Sequence, residues 1–493
     1  MRSRPLAAPR IVIVGGGFAG IGMAIRLRRM GIESFTIYEA GDTPGGTWRD
    51  NTYPGAACDV PSHLYSFSFE PNPAWSRTYG TQQEILAYLL HCVRKYDVER
   101  FIRCRARVAA ARFDETRRLW SVDVDRDGVR ESVEADLVIA ASGPLSRPAM
   151  PDIAGLERFA GKRFHSARWD HDYALEGKRI GVIGTGASAI QFVPRIQPRV
   201  AQLTVFQRTA PWVMPRRDRA IEPRMQRLFA RVPLAQRIVR SAIYWQLESR
   251  VLAFAFNPRL MRNSMQFARH YLARKIDNPA LRAKLTPDYL PGCKRILVSS
   301  DYYPALTQPN VELVTDAIRE VVTDGIITAD GMHRPLDAIV CGTGFRFNDV
   351  DAPFTIVGER GADLGDAWRR EGPQAYLGAT IAGFPNLFMI AGPNTGLGHS
   401  SVIYMIESQI RYIADCIRTL GRNGARTMAV RADVQRTYND GLQRDLARTV
   451  WQSGCRSWYQ TKSGRNTAIW PGFTFSFRRR TRRVRDSDYV FTR

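Results

Sequence analysis

Short runs of β-branched apolar residues, each followed at once by glycines, divide this chain into repeating units. The first run is Ile11–Val14, and four successive apolar positions without polar alternation predict a strand buried on both faces of a sheet. The segment Gly15-Gly-Gly17-Phe18-Ala-Gly20 follows, and apolar residues then recur at helical spacing from Ile21 to Leu27. The pattern predicts a strand, a tight turn and a helix.

The glycines of this turn have the spacing of a dinucleotide site. Gly15 permits the tight turn, Gly17 lets backbone amides approach a pyrophosphate, and Gly20 lets the helix pack closely against the strand. The next predicted strand, Phe35–Tyr38, leads into Glu39. A carboxylate there accepts hydrogen bonds from ribose hydroxyls and repels a 2′-phosphate, so the site is predicted to bind FAD or NAD rather than NADP.

A second unit of the same kind begins with the apolar strand Arg179–Ile183. The segment Gly184-Thr185-Gly186-Ala187-Ser188-Ala189 opens its helix, with alanine in the third glycine position. The following strand ends in Arg208-Thr209, where the first unit has Glu39. A guanidinium matches phosphate oxygens, so this site is predicted to bind NADPH. The alternative interpretation is that Arg208 is a surface arginine without a role in this site.

Later apolar strands indicate how the chain passes between the two units. Residues 136–143 and 337–344 each end in a small-small-Gly turn that resembles the crossovers of two-dinucleotide flavoproteins, and 385–390 resembles the strand that returns the chain to the first unit. A helix from about 401 to 420 follows. We predict an α/β fold with two Rossmann-like dinucleotide-binding domains, for FAD and NADP, and a helical insertion. The predicted segments are 1–145 (FAD-binding, first part), 146–217 (NADP-binding, first part), 218–285 (helical insertion), 286–345 (NADP-binding, second part) and 346–493 (FAD-binding, second part, with a C-terminal extension).

The predicted insertion carries a stripe of apolar residues at helical spacing. Met225, Leu228, Phe229 and Val232 form this stripe, which is more typical of core packing than of a binding face. We interpret the insertion as a roof over the substrate pocket. Because the segment is rich in arginine and aromatic residues, contact with a membrane surface is the alternative.

The composition is that of a basic globular protein. The 493 residues include 71 Lys and Arg against 47 Asp and Glu, which gives a net charge of +24. Such an excess is typical of a solvated surface, with attraction for anionic cofactors and adhesion to membranes or nucleic acid as alternatives. For the basic run 478–483 a solvated terminal strand is preferred over weak peripheral membrane contact. No nucleic-acid partner is predicted.

The cysteines and the N-terminus favour a reducing compartment. Seven cysteines form an odd set without a C-x-x-C pair, so neither a disulfide framework nor a redox dithiol is indicated. Residues 5–10 lack the apolar core of a signal peptide, and no run approaches the roughly 18 apolar residues of a membrane span. No metal site is predicted. We expect a cytoplasmic protein.

The segment between the two units carries the most specific pattern in the chain. Phe159-Ala-Gly161-Lys-Arg-Phe-His165-Ser-Ala-Arg-Trp169-Asp170 fits F-x-G-x-x-x-H-x-x-x-W-[P/D] at every specified position. This pattern resembles the fingerprint of the Baeyer–Villiger monooxygenases, in which the segment is a linker that couples domain movement to cofactor binding. The resemblance implies that His165 serves this linker rather than proton transfer, and that Trp169 and Asp170 are hinge residues.

Two further segments resemble the same family. Gly45-Gly-Thr47-Trp48 and 53–60 are similar to the family's flavin-contacting loop, which implies that Thr47, Trp48, Asp59 and Tyr65 line the flavin. Gly292-Cys-Lys294-Arg295 resembles the segment with the active-site arginine; by position this is Arg295, with Lys294 as the alternative if the register slips by one. The C-terminal segment resembles most the aryl-ketone branch of the family, typified by 4-hydroxyacetophenone monooxygenase. The residues that carry this resemblance are Trp451, Cys455, Trp458, Tyr459, Asn466 and 470–472.

The resemblance implies a specific reaction. NADPH reduces FAD, the reduced flavin adds O₂ to give a C4a-peroxyflavin, and the peroxide attacks a ketone carbonyl to yield an ester or lactone. Arg295 would stabilise the peroxide and the oxyanion, while Asp59 would hold Arg295 and the nicotinamide amide in place.

Two other classes of function compete with this one. A flavin-containing monooxygenase that oxidises nitrogen or sulfur has a related linker, but it usually has Tyr or Phe where this chain has Trp169-Asp170, and it lacks a counterpart of Arg295. A non-catalytic flavin-bound sensor or basic scaffold is the second alternative. A disulfide reductase is disfavoured by the missing C-x-x-C pair.

Overall fold

The computed structural model describes residues 9–346 and 354–493. Most of the N-terminal residues on which the absence of a signal peptide was predicted lie outside the described ranges. The start of the predicted segment 346–493 also lies outside them. A π-helical turn, Leu252–Phe256, lies between the sixth and seventh α-helices. The α-helices are α1 Phe18–Arg28, α2 Thr47–Asp50, α3 Gln82–Lys95, α4 Ala189–Ile196, α5 Pro223–Arg231, α6 Pro233–Glu248, α7 Met261–Ala273, α8 Pro279–Leu285, α9 Tyr302–Leu306, α10 Leu364–Glu371, α11 Val402–Arg422, α12 Ala432–Ala447 and α13 Thr474–Arg480.

The first glycine turn lies at one edge of a five-stranded parallel sheet. Its strands, in spatial order, are Leu387–Met389, Leu137–Ala140, Ile11–Val14, Phe35–Tyr38 and Ile102–Arg103. All four pairings are parallel, and the central strand is buried on both faces, as its apolar run predicts. The late strand does return to this sheet, where it pairs with Leu137–Ala140. Helices α1 and α11 pack together on the sheet.

The second glycine turn belongs to another five-stranded parallel sheet. Its strands, in spatial order, are Val311–Val314, Gln202–Phe206, Arg179–Ile183, Ala338–Cys341 and Lys162–His165. Both sheets are parallel and strand–turn–helix units open them, so the predicted two-Rossmann α/β architecture is observed. The fingerprint segment is not a plain linker loop, because its first half forms the edge strand of this sheet.

Smaller sheets extend the two units. A four-stranded sheet packs beside the first unit, and a three-stranded meander beside the second. Two short pairs of strands complete the set. The first joins the segment just before the insertion to the segment after Arg295, and the second pairs the C-terminal strand with the strand after α11. Their strands are Thr355–Val357, Ala106–Asp114, Leu119–Arg126 and Val129–Ala135; Ile318–Val322, Gly325–Thr328 and His333–Pro335; Val213–Met214 with Leu297–Val298; and Thr427–Val430 with Tyr489–Thr492.

Two expectations about the surface elements are wrong. In α5 only Phe229 is buried, against the ring of His63, whereas Met225, Leu228 and Val232 are exposed, so the stripe is not core. The basic run 478–483 is not a strand: it contains the end of α13 and the turn after it. Arginines in the last turn of a helix interact favourably with its negative end, which explains why this run continues the helix. Among the described residues, no helix has the length and apolar character needed to cross a membrane.

Candidate active site

The backbone of the first turn requires glycine at two positions. Gly15 has φ +107°, and a Cβ there would lie 2.8 Å from the carbonyl oxygen of Ala141. A Cβ on Gly20 would lie 1.9 Å from the carbonyl oxygen of Gly15. At Gly17, in contrast, a Cβ would meet only Gly46 Cα, at 3.7 Å, so the space in front of the turn is open. No side chain caps α1, and its first amides are therefore available to a phosphate.

Glu39 is held rigidly beside this turn. Its Oε2 accepts a hydrogen bond from the Gly16 amide at 2.7 Å. Its Oε1 accepts hydrogen bonds from the Gly41 amide at 2.8 Å and from Arg49 Nη1 at 2.7 Å. Glu39 is 5% exposed, and it lies at the end of the second strand, where a carboxylate binds the ribose hydroxyls of a dinucleotide. The first site therefore fits FAD, as predicted from the sequence.

Two of the predicted flavin-contacting residues, Trp48 and Tyr65, form an aromatic cluster with Phe18. Gly46 has φ +54° and starts the short helix α2, whose first residue is Thr47. Trp48 Nε1 donates a hydrogen bond to the Tyr65 hydroxyl at 3.1 Å, and the Tyr65 ring meets Phe18 edge-on at 5.4 Å between centroids. Burial raises the pKa of Tyr65 well above its ordinary value, so this hydroxyl stays protonated. These residues form a wall next to the glycine turn.

Asp59 and Arg295, which are 236 positions apart, form an ion pair in which two guanidinium nitrogens donate to one carboxylate oxygen. Arg295 Nε and Nη2 donate to Asp59 Oδ2 at 2.9 and 2.5 Å, and Nη1 donates to the carbonyl oxygen of Leu397 at 3.4 Å. The nearby Asp59 carboxylate raises the pKa of Arg295, against the effect of burial. The guanidinium is therefore a permanent cation where the two dinucleotide units meet.

Tyr459 completes this centre, although no role could be assigned to it from the sequence. The side chain is 1% exposed, and burial raises its pKa to about 12 while the charge of Arg295 acts in the opposite direction. Its hydroxyl is thus neutral beside the guanidinium. The residue lies in the C-terminal segment, far from Arg295 in sequence, so only tertiary packing brings the two together.

Lys294 lies in a different environment from Arg295. Its ammonium group lies 4.9 Å from the centroid of the Tyr289 ring. Burial lowers the pKa of Lys294, and the charge of Arg208 lowers it further. Two cations therefore face the same region, as a site for an anion requires. Arg295 and not Lys294 pairs with Asp59, which favours Arg295 as the active-site cation, and its role stays a prediction.

The second turn repeats the geometry of the first. Gly184 has φ +106°, and a Cβ there would lie 2.5 Å from the carbonyl oxygen of Gly342. A Cβ on Gly186 would meet only that same oxygen, at 4.0 Å, so the space in front of this turn is also open. Ser188 precedes α4 and Ala189, fully buried, opens it, without a side-chain cap. Free helix amides and open space fit a second pyrophosphate.

The register after the second turn differs by one residue from the sequence interpretation. The amide of Gly15 donates to Tyr38 O at 2.9 Å, and the amide of Gly184 donates to Phe206 O at 3.1 Å. Since Glu39 follows Tyr38, its structural equivalent is Gln207, whose side-chain Nε2 donates to the carbonyl oxygen of Lys284 at 2.7 Å. Arg208 is the next residue and is exposed. Thr209 accepts a hydrogen bond at its carbonyl from the Thr185 hydroxyl at 3.4 Å.

The fingerprint residues are positioned by close packing against the second sheet. A Cβ on Gly161 would lie 2.5 Å from the carbonyl oxygen of Asp337, so only glycine fits at this edge. Phe159 is buried in the adjoining core. His165 is also buried, and its Nδ1 accepts a hydrogen bond from the Ala167 amide at 3.1 Å, within its own segment. Burial lowers the pKa of His165, which favours the neutral imidazole.

A row of aromatic rings connects the fingerprint to the flavin-contacting loop. Trp169 contacts Phe192 of α4 at 5.3 Å between centroids, and Phe192 contacts Tyr53 at 6.0 Å. Asp170 forms an ion pair with Lys162 at 2.6 Å, and both residues belong to the fingerprint segment. The fingerprint is thus in contact, through Phe192, with the loop that leads to Asp59.

Two polar side chains support the Asp59 loop and were missed in the sequence. Arg216 Nη2 donates to the carbonyl oxygen of Cys58 at 3.3 Å. The Gln191 side chain accepts from the Tyr53 hydroxyl at 3.0 Å and donates to the carbonyl oxygen of Ala57 at 3.0 Å. Neither residue belongs to a recognisable motif, because each acts through backbone atoms of a distant loop.

Cys293 and Cys455 form a disulfide, contrary to the expectation of free thiols. They are separated by 162 positions, with a Cα–Cα distance of 6.1 Å, and an odd cysteine count gives no sign of such a pair. The bond joins the segment of Arg295 to the segment of Tyr459. The free cysteines among the described residues are Cys58, Cys92, Cys104, Cys341 and Cys416.

Comparison with known proteins assigns the chain to a family. A family model for flavin-binding monooxygenase-like proteins matches residues 8–355. A Baeyer–Villiger monooxygenase of Pseudomonas aeruginosa is 49% identical over 485 residues, which cover 98% of this chain and 91% of the relative. An oxidised steroid monooxygenase bound to NADP superposes with a TM-score of 0.86 at 32% identity, over 99% of this chain and 100% of the other. A crystal structure of OTEMO with FAD and NADP gives 0.86 at 29%, with the same coverage.

These matches confirm the family that the fingerprint indicates, and they confirm the fold with two dinucleotide-binding domains. They do not separate the branches of the family, so the aryl-ketone branch stays a prediction. The similarity extends over nearly the full length of both chains. This chain therefore belongs to the Baeyer–Villiger monooxygenases, within the flavin-binding monooxygenase-like family.

Proposed function

We propose that Asp59 and Arg295 form the oxygenation site of this FAD- and NADPH-dependent enzyme, which inserts one oxygen atom of O₂ next to a ketone carbonyl to give an ester or lactone. The observation that carries the proposal is their doubly hydrogen-bonded ion pair at the junction of the two dinucleotide units. Bound flavin supplies the activation of O₂. The protein has to stabilise negative charge and exclude water.

Arg295 suits the first of these tasks. Charge that develops on the ketone oxygen needs a fixed donor that is already in place, and a charge-stabilising donor of this type contributes roughly 3–4 kcal/mol. Arg295 is held at three of its nitrogen atoms, and its raised pKa keeps it charged at any working pH. It therefore offers a positive charge without reorganisation during the reaction.

Asp59 and Tyr459 serve this arginine in different ways. Both hydrogen bonds from Arg295 end on Oδ2 of Asp59, and we assign Oδ1 to the carboxamide of the nicotinamide. Tyr459 contributes a buried neutral ring that keeps water from the guanidinium. A dry site matters because early protonation of the oxygenating species would release hydrogen peroxide instead of product.

The cofactor roles follow the geometry of the two turns. FAD would be bound by Gly15, Gly17, Phe18, Gly20, Glu39, Thr47, Trp48, Asp59 and Tyr65. NADPH would be bound by Gly184, Thr185, Gly186, Ser188, Ala189, Arg208 and Thr209, and we add Lys294 to this set because it faces the same region as Arg208. Phe159, Gly161, His165, Trp169 and Asp170 act as the linker between the two.

The Gly17→Ala substitution tests the first cofactor site. A methyl group there meets nothing closer than 3.7 Å in the protein, so we expect the apoprotein to fold with an unchanged melting temperature. It would occupy the space that we assign to the pyrophosphate, so FAD affinity falls by about tenfold or more. The measurement is the bound flavin per chain by absorbance, together with thermal unfolding of the apoprotein.

Gly186→Ala is the matched control for this substitution. It should leave the flavin content unchanged and raise the KM for NADPH, because its open space belongs to the second turn. Loss of flavin in both variants, or in neither, would show that the two turns do not have separate ligands.

The substrate is tested with a panel of aryl, cyclic and long-chain ketones and one tertiary amine. The holoenzyme is supplied with NADPH and ¹⁸O₂, and the products are identified by mass spectrometry. An ester or lactone with one ¹⁸O confirms the reaction, and preference for aryl ketones would support the aryl-ketone branch. An amine oxide alone would instead favour oxidation of nitrogen.

We also propose that the enzyme is located in the cytoplasm. Fractionation of cells tests this location.

A further inference from the structure

Helix α6 is fixed on the FAD-binding part by polar and apolar contacts of its inward face. Gln236, which is 3% exposed, donates through Nε2 to Asn72 O at 2.6 Å, and Arg240 Nη1 donates to His63 O at 2.6 Å. Near the end of the helix, Leu247 is buried in the core of the FAD-binding part. A surface helix normally packs its apolar stripe inward, so the outer side of α6 needs an explanation.

The outer side of α6 is apolar. Leu234, Ile238 and Trp245 are 63%, 61% and 59% exposed, and their spacing of 4 and 7 residues places them on one side of the helix. The π-helical turn that follows α6 continues this side with Leu252 and Phe256, which are 49% and 62% exposed. Folding of this chain gains nothing from so many large apolar side chains in water.

The C-terminal helix adds aromatic rings to the same surface. Phe475 of α13 contacts Trp245 at 6.0 Å between centroids and Phe473 at 4.9 Å, and Phe473 stacks on Phe256 at 5.3 Å. The insertion and the C-terminus, distant in sequence, thus form one continuous surface. We call it the exposed apolar face, and it consists of Leu234, Ile238, Trp245, Leu252, Phe256, Phe473 and Phe475.

The charges around this face have a single sign. The only acidic residue from 223 to 276 is Glu248, which is fully buried and bonded to Thr474. The same stretch contains Lys275 and nine arginines besides the inward-facing Arg240, at 224, 227, 231, 237, 250, 259, 262, 269 and 274. The end of α13 contributes Arg478, Arg479 and Arg480. Within the described residues, Arg231, Arg237 and Arg259 form no ion pair.

We propose that the exposed apolar face docks on the surface of an anionic lipid bilayer. Apolar and aromatic side chains surrounded by arginines match the boundary between acyl chains and acidic headgroups. A second copy of the chain matches poorly, because a two-fold interface would set arginines against arginines. Nucleic acid would pair with the arginines but would leave Leu234, Ile238 and Leu252 unpartnered. Binding is peripheral, because no described helix can span the bilayer.

Docking would also orient the enzyme toward substrates dissolved in the bilayer, a point that rests on the proposed function. Phe254 of the same π-helical turn packs inward on Trp451 at 5.5 Å, and it lies against Gly292, three residues before Arg295. The turn thus lies between the exposed apolar face and the oxygenation site. Vesicle binding is measured without turnover, so its failure is separate from failure of the proposed function.

The test is flotation of the FAD-loaded full chain with two kinds of vesicle, phosphatidylcholine alone and phosphatidylcholine with phosphatidylglycerol in equal parts. We expect binding to the anionic vesicles only, and weakening of that binding as salt is added. The triple variant Ile238→Ser, Trp245→Ser, Phe256→Ser should lower the partition coefficient by about tenfold or more. Removal of charge in Arg231→Gln, Arg237→Gln, Arg259→Gln should lower it to a similar degree.

Matched control variants carry the same changes elsewhere on the surface. Val129→Ser, Met332→Ser, Val490→Ser removes apolar side chains that are 69%, 57% and 56% exposed. Arg94→Gln, Arg107→Gln, Arg436→Gln removes three exposed arginines that lie on α3, on the strand Ala106–Asp114 and on α12, none of which contributes to the exposed apolar face. Both controls should bind anionic vesicles as the parent does, with the same flavin content.

Three results would overturn the proposal. The first is equal binding to both kinds of vesicle, and the second is an equal loss of binding in the control variants. The third is no vesicle binding together with a concentration-dependent dimer, in sedimentation velocity, that the Ile238, Trp245 and Phe256 substitutions abolish. That last result would assign the face to a second copy of the chain.

Discussion

The Arg295→Ala variant is expected to lose ester formation by about 100- to 1000-fold in kcat, while its flavin is still reduced by NADPH. The substitution removes the only guanidinium bonded to Asp59 among the described residues, and with it the fixed positive charge at the junction of the two units. NADPH oxidation without ester, accompanied by hydrogen peroxide, is the expected signature. Product analysis and stopped-flow reduction of the flavin measure the two steps separately.

Lys294→Ala is the matched control, because it removes the neighbouring cation. Lys294 lies over Tyr289 and does not bond to Asp59, so this variant should keep the parent's kcat at saturating NADPH. If Lys294→Ala abolished ester formation and Arg295→Ala did not, the assignment of the active-site cation would be reversed.

The second large effect concerns the choice between NADPH and NADH. Arg208 and Lys294 share one region, where the charge of Arg208 lowers the pKa of Lys294. A hydrogen bond to a charged group contributes about 1.5–3 kcal/mol, so losing two should lower the preference for NADPH by about 100-fold or more. The measurement is kcat/KM for both coenzymes in the variant Arg208→Ala, Lys294→Ala.

The pH dependence of coenzyme binding checks the same assignment. A lysine is charged below its pKa, and the pKa of free Lys294 is lowered. NADPH affinity should therefore fall as pH rises through this lowered pKa, at a pH below the range of an ordinary lysine. NADH affinity should stay flat over this interval, as should NADPH affinity in Lys294→Ala. Parallel curves for both coenzymes in the parent would contradict a phosphate contact by Lys294.

Local motifs predicted those parts of the site that depend on backbone geometry. Gly15, Gly20 and Gly161 reflect close approaches of one chain segment to another, which only glycine permits, whereas Gly17 leaves open the space that we assign to the pyrophosphate. Because such demands act within short segments, they are visible in the sequence. The pairing of Asp59 with Arg295 was accessible only through the family resemblance, since 236 positions separate them.

Features that depend on long-range packing could not be predicted. A helical stripe such as that of α5 shows that one side is apolar, but the period does not say whether that side faces the core. The placement of Gln207, rather than Arg208, opposite Glu39 depends on which carbonyl the Gly184 amide meets. Tyr459 and the Cys293–Cys455 bond join segments whose proximity no local pattern encodes.

The Cys293–Cys455 bond has a practical consequence for the biochemistry of this enzyme. It makes a covalent ring of the polypeptide between these two cysteines, and Arg295 lies only two residues inside that ring. Protein purified with a thiol reductant and protein purified without one are therefore different chemical species, distinguishable by thiol labelling and by mobility on a non-reducing gel. Rate constants from the two preparations should be compared only after the oxidation state of each has been determined.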